Sequence, residues 1–395
     1  MSLSAGESPD GRRSWIVAFT GAIAMIFTFG TAFSYGVFLT PFSETFGIDP
    51  VALSTVFAIM LFTFYIGAGV VGVFAAHVPS RTILLVCAVI SGLLAPSLYV
   101  VDGYAGLVIV FGLVGLSLGT VFVVLASIVP RWFESYRGAA TGLIFTGNGL
   151  GLFILPPAWQ YAIDYGGPRE GFLLIMSITA AAFFVAGLTC RRPEWADRST
   201  ASAGEILEWL GELAKTRAFR LLFVGMGLSF AWYQLLTAYA IDLFTHRGLS
   251  TAGASLAFGF VGGFSIISRI GGGFVADKAG FRRTFLASLA SAAIGAALLL
   301  VPESAAMVVA IFFLGIGLGG SATLYIPVLM QTYSRTKDTA VIGIFNVGIG
   351  TFSLAVPPIG TATVAYTGSY TIVVLLTVVA LIGAIWAVAI GSQAS

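Results

Sequence analysis

Arg269 is the only charged side chain inside any long apolar stretch of this sequence; from Gly248 to Ala276 nothing else carries a formal charge. An arginine surrounded by hydrocarbon is costly unless it faces a partner or a wet cavity. Its guanidinium presents a planar pair of donors that fits a carboxylate bidentately, and surroundings drier than water strengthen the pairing. Ser265 stands four residues earlier, on the same face of a helix, and Gly262, Gly263 and Gly271 to Gly273 leave room for neighbouring helices to approach. The chemistry these residues suit is anion binding. With no second intramembrane cation, a single carboxylate fits better than a dicarboxylate, whose other charge would need its own partner. The rival reading makes Arg269 structural, bonded to helix carbonyls. At roughly 12 Å of helix rise from the nearer helix end, it is too deep for a simple interface anchor.

The elements that must position this arginine are membrane helices. Of 395 residues, 58% are hydrophobic and only 9% charged, and the mean hydropathy is +1.00. Charge-free runs recur along the whole chain, among them Ser14 to Ser43, Pro50 to Ser80, Gly103 to Pro130 and Ser304 to Ser334. Each accommodates the roughly 20 residues that cross a bilayer as helix, and none alternates as an outer-membrane barrel does. A final run divides at Thr367-Gly368-Ser369, so the count is twelve spans. Of the 19 lysines and arginines, Arg169 and Arg247 fall on one side and all the others except Arg269 on the opposite side. Both termini are therefore expected in the cytoplasm, in a multi-pass protein of the cytoplasmic membrane. The polar first 14 residues offer no signal-peptide cleavage site, so the first span is expected to be retained.

An internal repeat organises the spans. Gly115-Leu116-Ser117-Leu118-Gly119 recurs about 200 residues later as Gly315-Ile316-Gly317-Leu318-Gly319, and Pro156-Pro157 recurs as Pro357-Pro358. The chain reads as an all-α membrane protein of two parallel six-helix halves related by a pseudo-two-fold axis, with the substrate site between them. The expected parts are a tail at 1–14, a first half at 15–190, a linker at 191–218, a second half at 219–391 and a tail at 392–395. Glu205 to Leu213 in the linker has apolar residues at helical spacing, as a helix lying on the membrane surface does.

Other functions find little support. The net charge of +2 reflects the sidedness of the basic residues and implies no nucleic-acid partner. Cys87 and Cys190 have no metal-ligand spacing, and His77 and His246 lie on opposite sides of the membrane, so no metal or other cofactor is expected. No apposed carboxylate pair or activated nucleophile marks an enzyme. A pocket for a small organic acid needs a few hydroxyl or amide groups amid apolar walls, and the central helices offer Tyr35, Phe122, Asn148, Tyr239, Tyr325 and Asn346.

Gly273-Phe274-Val275-Ala276-Asp277-Lys278-Ala279-Gly280-Phe281-Arg282-Arg283 resembles the loop signature of the major facilitator superfamily. The first-half copy is degenerate, with His77 in place of the aspartate. The resemblance implies a gating role for Asp277, Lys278, Arg282 and Arg283, and for Arg137 in the facing half. Phe33 to Phe38 with Pro41-Phe42, Arg131-Trp132-Phe133, Arg137 to Gly142, Gly147 to Gly151 and, more weakly, Asp10-Gly11 ahead of Trp15 resemble the monocarboxylate transporters and their bacterial oxalate-transporter relatives. Arg269 matches the eighth-span arginine that holds the substrate carboxylate in that family. Ser265 stands where mammalian members carry a proton-coupling aspartate, Leu39 where they carry a lysine, Phe122 where a tyrosine is common and Tyr239 where a histidine falls. The resemblance implies alternating-access transport of a lactate- or pyruvate-like monocarboxylate, with a proton as co-substrate if the coupling survives those changes. The alternatives are an exporter of neutral or amphipathic compounds and an organic-anion exchanger of the oxalate/formate type.

Overall fold

The computed structural model describes residues 8–74, 78–193, 203–333 and 338–392, and the side chains at 71–74, 137–139, 203–207 and 338–340 are likewise outside the description. The first half consists of α1 (Arg12–Ala32), a short α2 (Leu39–Phe46), α3 (Pro50–Phe74), α4 (Ser80–Leu94), α5 (Tyr104–Ile128) and α6 (Arg137–Thr189). Then come α7 (Ala203–Lys215) and the second half: α8 (Arg217–His246), α9 (Thr251–Ala279), α10 (Phe281–Leu298), α11 (Ser304–Thr332), α12 (Asp338–Thr367) and α13 (Tyr370–Gly391).

Ten helices among the described residues are long and apolar enough to cross a membrane. One of them, α6, is two spans, because Gly167 takes a φ of 85° that breaks the helical path, and Pro168 follows it. α10, whose first turn is weighted by Arg282 and Arg283, completes twelve. Helices form throughout because hydrocarbon leaves backbone polar groups no partner but the next turn. α1 starts at Arg12 and α8 at Arg217, so each runs a few residues into stretches read from sequence as tail and linker. Long basic side chains can reach past the helix end to water, so the helix need not stop where the apolar run does. Thr216 caps α8 by accepting from the Phe219 N–H at 3.3 Å.

The repeat is visible as repeated contact. In the first half Gly115 and Gly119 of α5 press against the carbonyls of Met60 and Phe64 on α3; in the second, Gly315 and Gly319 of α11 press against those of Val261 and Ser265 on α9. The offset of 201 residues carries Arg269 onto Ala68, so only one half supplies a cation at this level. α6 packs on α9 and α3 on α12 across the two halves. Away from the termini, Gly36 lies in a 3-10 turn against the Thr237 carbonyl of α8, where a side chain would have no space. The halves also touch through Gly69 of α3, which lies against the Gly343 carbonyl of α12.

Candidate functional site

Arg269 lies on α9 where it faces α6, and is 3% exposed. Its Nε donates to Ser265 Oγ at 3.3 Å, and Ser265 Oγ donates to the Gly262 carbonyl at 2.6 Å. Nη1 and Nη2 have no hydrogen-bond partner among the described residues. Arg269 lines a cavity at the junction of the halves, of about 10 Å³, room for about one water molecule.

Besides Arg269, the polar lining of that cavity comes from four helices: Tyr65 on α3, Asn148 on α6, Tyr325 on α11 and Asn346 on α12. Asn148 Oδ1 lies 3.4 Å from the Thr28 hydroxyl, while its Nδ2 and that of Asn346 are buried with no partner among the described residues. The remaining wall is largely aromatic, with Phe29, Phe122, Phe145 and Phe230. Phe29 touches Phe122 at a centroid distance of 5.2 Å, and Phe230 meets Tyr325 edge-on at 5.3 Å. Just past the end of α1, Phe33 packs on Tyr233 of α8 at 5.2 Å.

The structure therefore brings Arg269, Ser265, Phe122, Asn148, Tyr325 and Asn346 together. It does not bring Tyr35 or Tyr239. Tyr35 donates its hydroxyl to the Leu53 carbonyl at 2.9 Å and stacks on Phe57 at 5.0 Å, inside the first half. α1 ends at Ala32, and Tyr35 belongs to the 3-10 turn that follows it. Tyr239 points to α13, its hydroxyl 3.0 Å from Thr377 Oγ1. Tyr65, Phe29, Phe145 and Phe230 were missed; as ordinary apolar or aromatic members of long runs they carry no mark in the sequence.

Of the residues assigned to gating, Asp277, Lys278, Arg282 and Arg283 flank the junction of α9 and α10. Asp277 and Lys278 are exposed at the end of α9 and form no ion pair with another residue whose side chain is described. Arg282 instead stays within its own half, where Nε donates to Ser392 Oγ and Nη2 to the Ala389 carbonyl, both at 2.7 Å. It thereby caps the end of α13, where a cation meets the negative end of the helix dipole. Arg283 is exposed nearby. The side chain of Arg137 and the whole of His77 lie outside the described residues.

A bundle of two six-helix halves with a cavity at their junction is an architecture that membrane transporters use. The sequence profile of the Major Facilitator Superfamily matches residues 21–304 and again 221–393, and the chain belongs to that superfamily. It is 26% identical over 295 residues to the MFS-type transporter pytF of Aspergillus terreus, which covers 71% of this chain and 97% of that protein. It is 27% identical over 203 residues, 48% of this chain, to monocarboxylate transporter 9 of Mus musculus, and that match spans only 38% of the mouse protein. The nucleoside transporter NupG shares the fold, with a TM-score of 0.73 over 95% of this chain and 99% of its own, at 11% identity.

Proposed function

We propose that this transporter moves a small monocarboxylate, with Arg269 holding the carboxylate at the junction of the halves. The observation that carries the reading is a buried guanidinium whose two terminal nitrogens have no acceptor among the described residues, on an arginine that lines the central cavity. A cation taken out of water without a counter-ion is costly, and an arriving carboxylate relieves that cost through two parallel hydrogen bonds. The relatives lend support, since monocarboxylate transporter 9 is among the proteins this chain resembles. A cavity with room for one water is too small for lactate, so substrate enters only when the halves part. Opening toward one face and closing toward the other around Arg269 is the transport cycle.

Uptake of labelled lactate into proteoliposomes tests the reading, with wild type compared with Arg269→Lys and Arg269→Gln. Saturable wild-type uptake that both variants lose, while they elute and melt as the wild type does, supports a carboxylate on the planar fork. Uptake that persists in the glutamine variant makes Arg269 structural, and the aromatic walls then favour the alternative, an exporter of neutral or amphipathic compounds. Among the described residues no Asp or Glu lines the cavity, so proton coupling is put to its own measurement. Stimulation by outside acidification at fixed lactate anion concentration supports symport; no stimulation leaves exchange or uniport.

A further inference from the structure

Ser255 on α9 and Gln160 on α6 are both buried, and the Ser255 hydroxyl donates to Gln160 Oε1 at 3.2 Å. This side-chain hydrogen bond crosses from one half of the molecule to the other. Other buried serines of the bundle turn back on their own helix, as Ser229, Ser288 and Ser353 do by donating to the carbonyl four residues earlier. Ser255 reaches to the neighbouring helix instead. The amide it meets is oriented from within α6: Gln160 Nε2 donates to Asp164 Oδ1 at 2.7 Å. A carboxylate only accepts, so the carbonyl end of the amide is the end left for the serine. The bond lies toward the face opposite the chain ends, where the first span of α6 nears its break at Gly167 and α9 has just begun at Thr251. Between it and Arg269, Gly259 and Gly262 of α9 lie against the α6 backbone at Phe153 and Leu152.

We propose that Ser255 and Gln160 form a latch between the halves at the face opposite the chain ends, with Asp164 as the positioning residue that keeps the amide carbonyl turned to the serine. Parting of the halves at that face breaks the bond. A hydroxyl and an amide then exchange each other for water, so the net worth of the contact is small and is regained on closing. An apolar pair in the same place would resist opening by the whole of its buried area. The latch thus biases the equilibrium between the open and closed forms of that face without locking it. It acts whatever substrate is carried, and so stands apart from the carboxylate reading of Arg269.

The test follows the opening directly. Tyr165 and Tyr366 stand at corresponding positions of the repeat, near that face, and are 87% and 86% exposed, so labels there stay clear of the packed interface. Tyr165→Cys and Tyr366→Cys, with Cys87 and Cys190 changed to alanine, carry a dye pair for single-molecule energy transfer in liposomes. Ser255→Ala and Gln160→Leu are each expected to raise the ratio of long-distance to short-distance molecules by about two- to tenfold, the worth of one net hydrogen bond. Both changes delete the same bond, so the double variant should shift the ratio no further than the larger single shift. Asp164→Asn, which lets the Gln160 amide turn either way, should give a smaller shift in the same direction. An unchanged ratio in both single variants, even with lowered melting temperatures, overturns the latch and leaves a bond that only stabilises the fold. Shifts that multiply in the double variant also overturn it, as does a parent that, like its variants, never leaves the short distance. Should Gln160→Leu fail to fold, Ser255→Ala alone decides. No reading depends on lactate uptake, so a failure of the carboxylate assignment shows separately.

Discussion

The Nε of Arg269 is tied to Ser265 Oγ one helical turn earlier, at 3.3 Å, which leaves both terminal nitrogens of the guanidinium free of protein partners among the described residues. The serine thus acts as an aiming device for the cation. Replacing Ser265 by alanine leaves the charge in place and removes the tether. The expected outcome is a rise in KM for the transported acid of about three- to tenfold, the worth of one net hydrogen bond, with little change in the maximal rate. Initial-rate uptake against substrate concentration checks it.

Gly262 sits where α9 crosses α6, and a methyl group there would lie 2.6 Å from the backbone nitrogen of Phe153. Backbone cannot swing aside as a side chain can, so Gly262→Ala must separate two helices from opposite halves. A destabilisation of about 1–3 kcal/mol is expected. The lowered melting temperature of the detergent-solubilised variant would register it, and an unchanged melt would mean the crossing is looser than the structure has it.

Asp10 holds the chain's start against the entry to α6. Its carboxylate accepts from the backbone N–H groups of Ser135 at 2.9 Å, Glu134 at 3.2 Å and Tyr136 at 3.3 Å. Those donors, the Ser135 N–H first, hold its pKa below the ordinary carboxylate value. A carboxyl depressed in the folded protein contributes stability above its unfolded pKa, and that contribution disappears as pH falls through the folded value. Between about pH 6 and about pH 3 the wild type should therefore lose more melting temperature than Asp10→Asn, which has no charge to lose. Equal pH slopes for the two proteins would count against the clamp.

Arg282 joins α10 to the last turn of α13 through Ser392 and the Ala389 carbonyl. Arg282→Ala removes the charged donor and leaves the end of α13 to fray. About 1 kcal/mol of local stability is at stake for a partly exposed charged hydrogen bond. Faster amide hydrogen exchange confined to the last turns of α13, with Arg269-dependent uptake retained, is the expected signature.

The helical spans and the doubling were legible in the chain because both are local or repetitive properties. A charge-free run of some 20 residues can satisfy its backbone in hydrocarbon only as a helix, whatever packs beside it. Gly115 and Gly119 recur as Gly315 and Gly319 because each pair must let one helix back onto another's carbonyls. Arg269 stood out for the same kind of reason, since a lone charge in such a run needs no partner to be conspicuous. Which other side chains share its cavity was legible only in part: Phe122, Asn148, Tyr325 and Asn346 were candidates and line it, whereas Tyr65 carried no mark. Tyr35, Tyr65 and Tyr239 are equally tyrosines in apolar runs, yet only Tyr65 reaches the centre. That choice depends on where α1 breaks and how α3 and α8 are rotated against their neighbours. Rotation about a helix axis costs the helix nothing by itself; it is set by interlocking contacts between segments far apart in the chain, and so belongs to the tertiary structure alone.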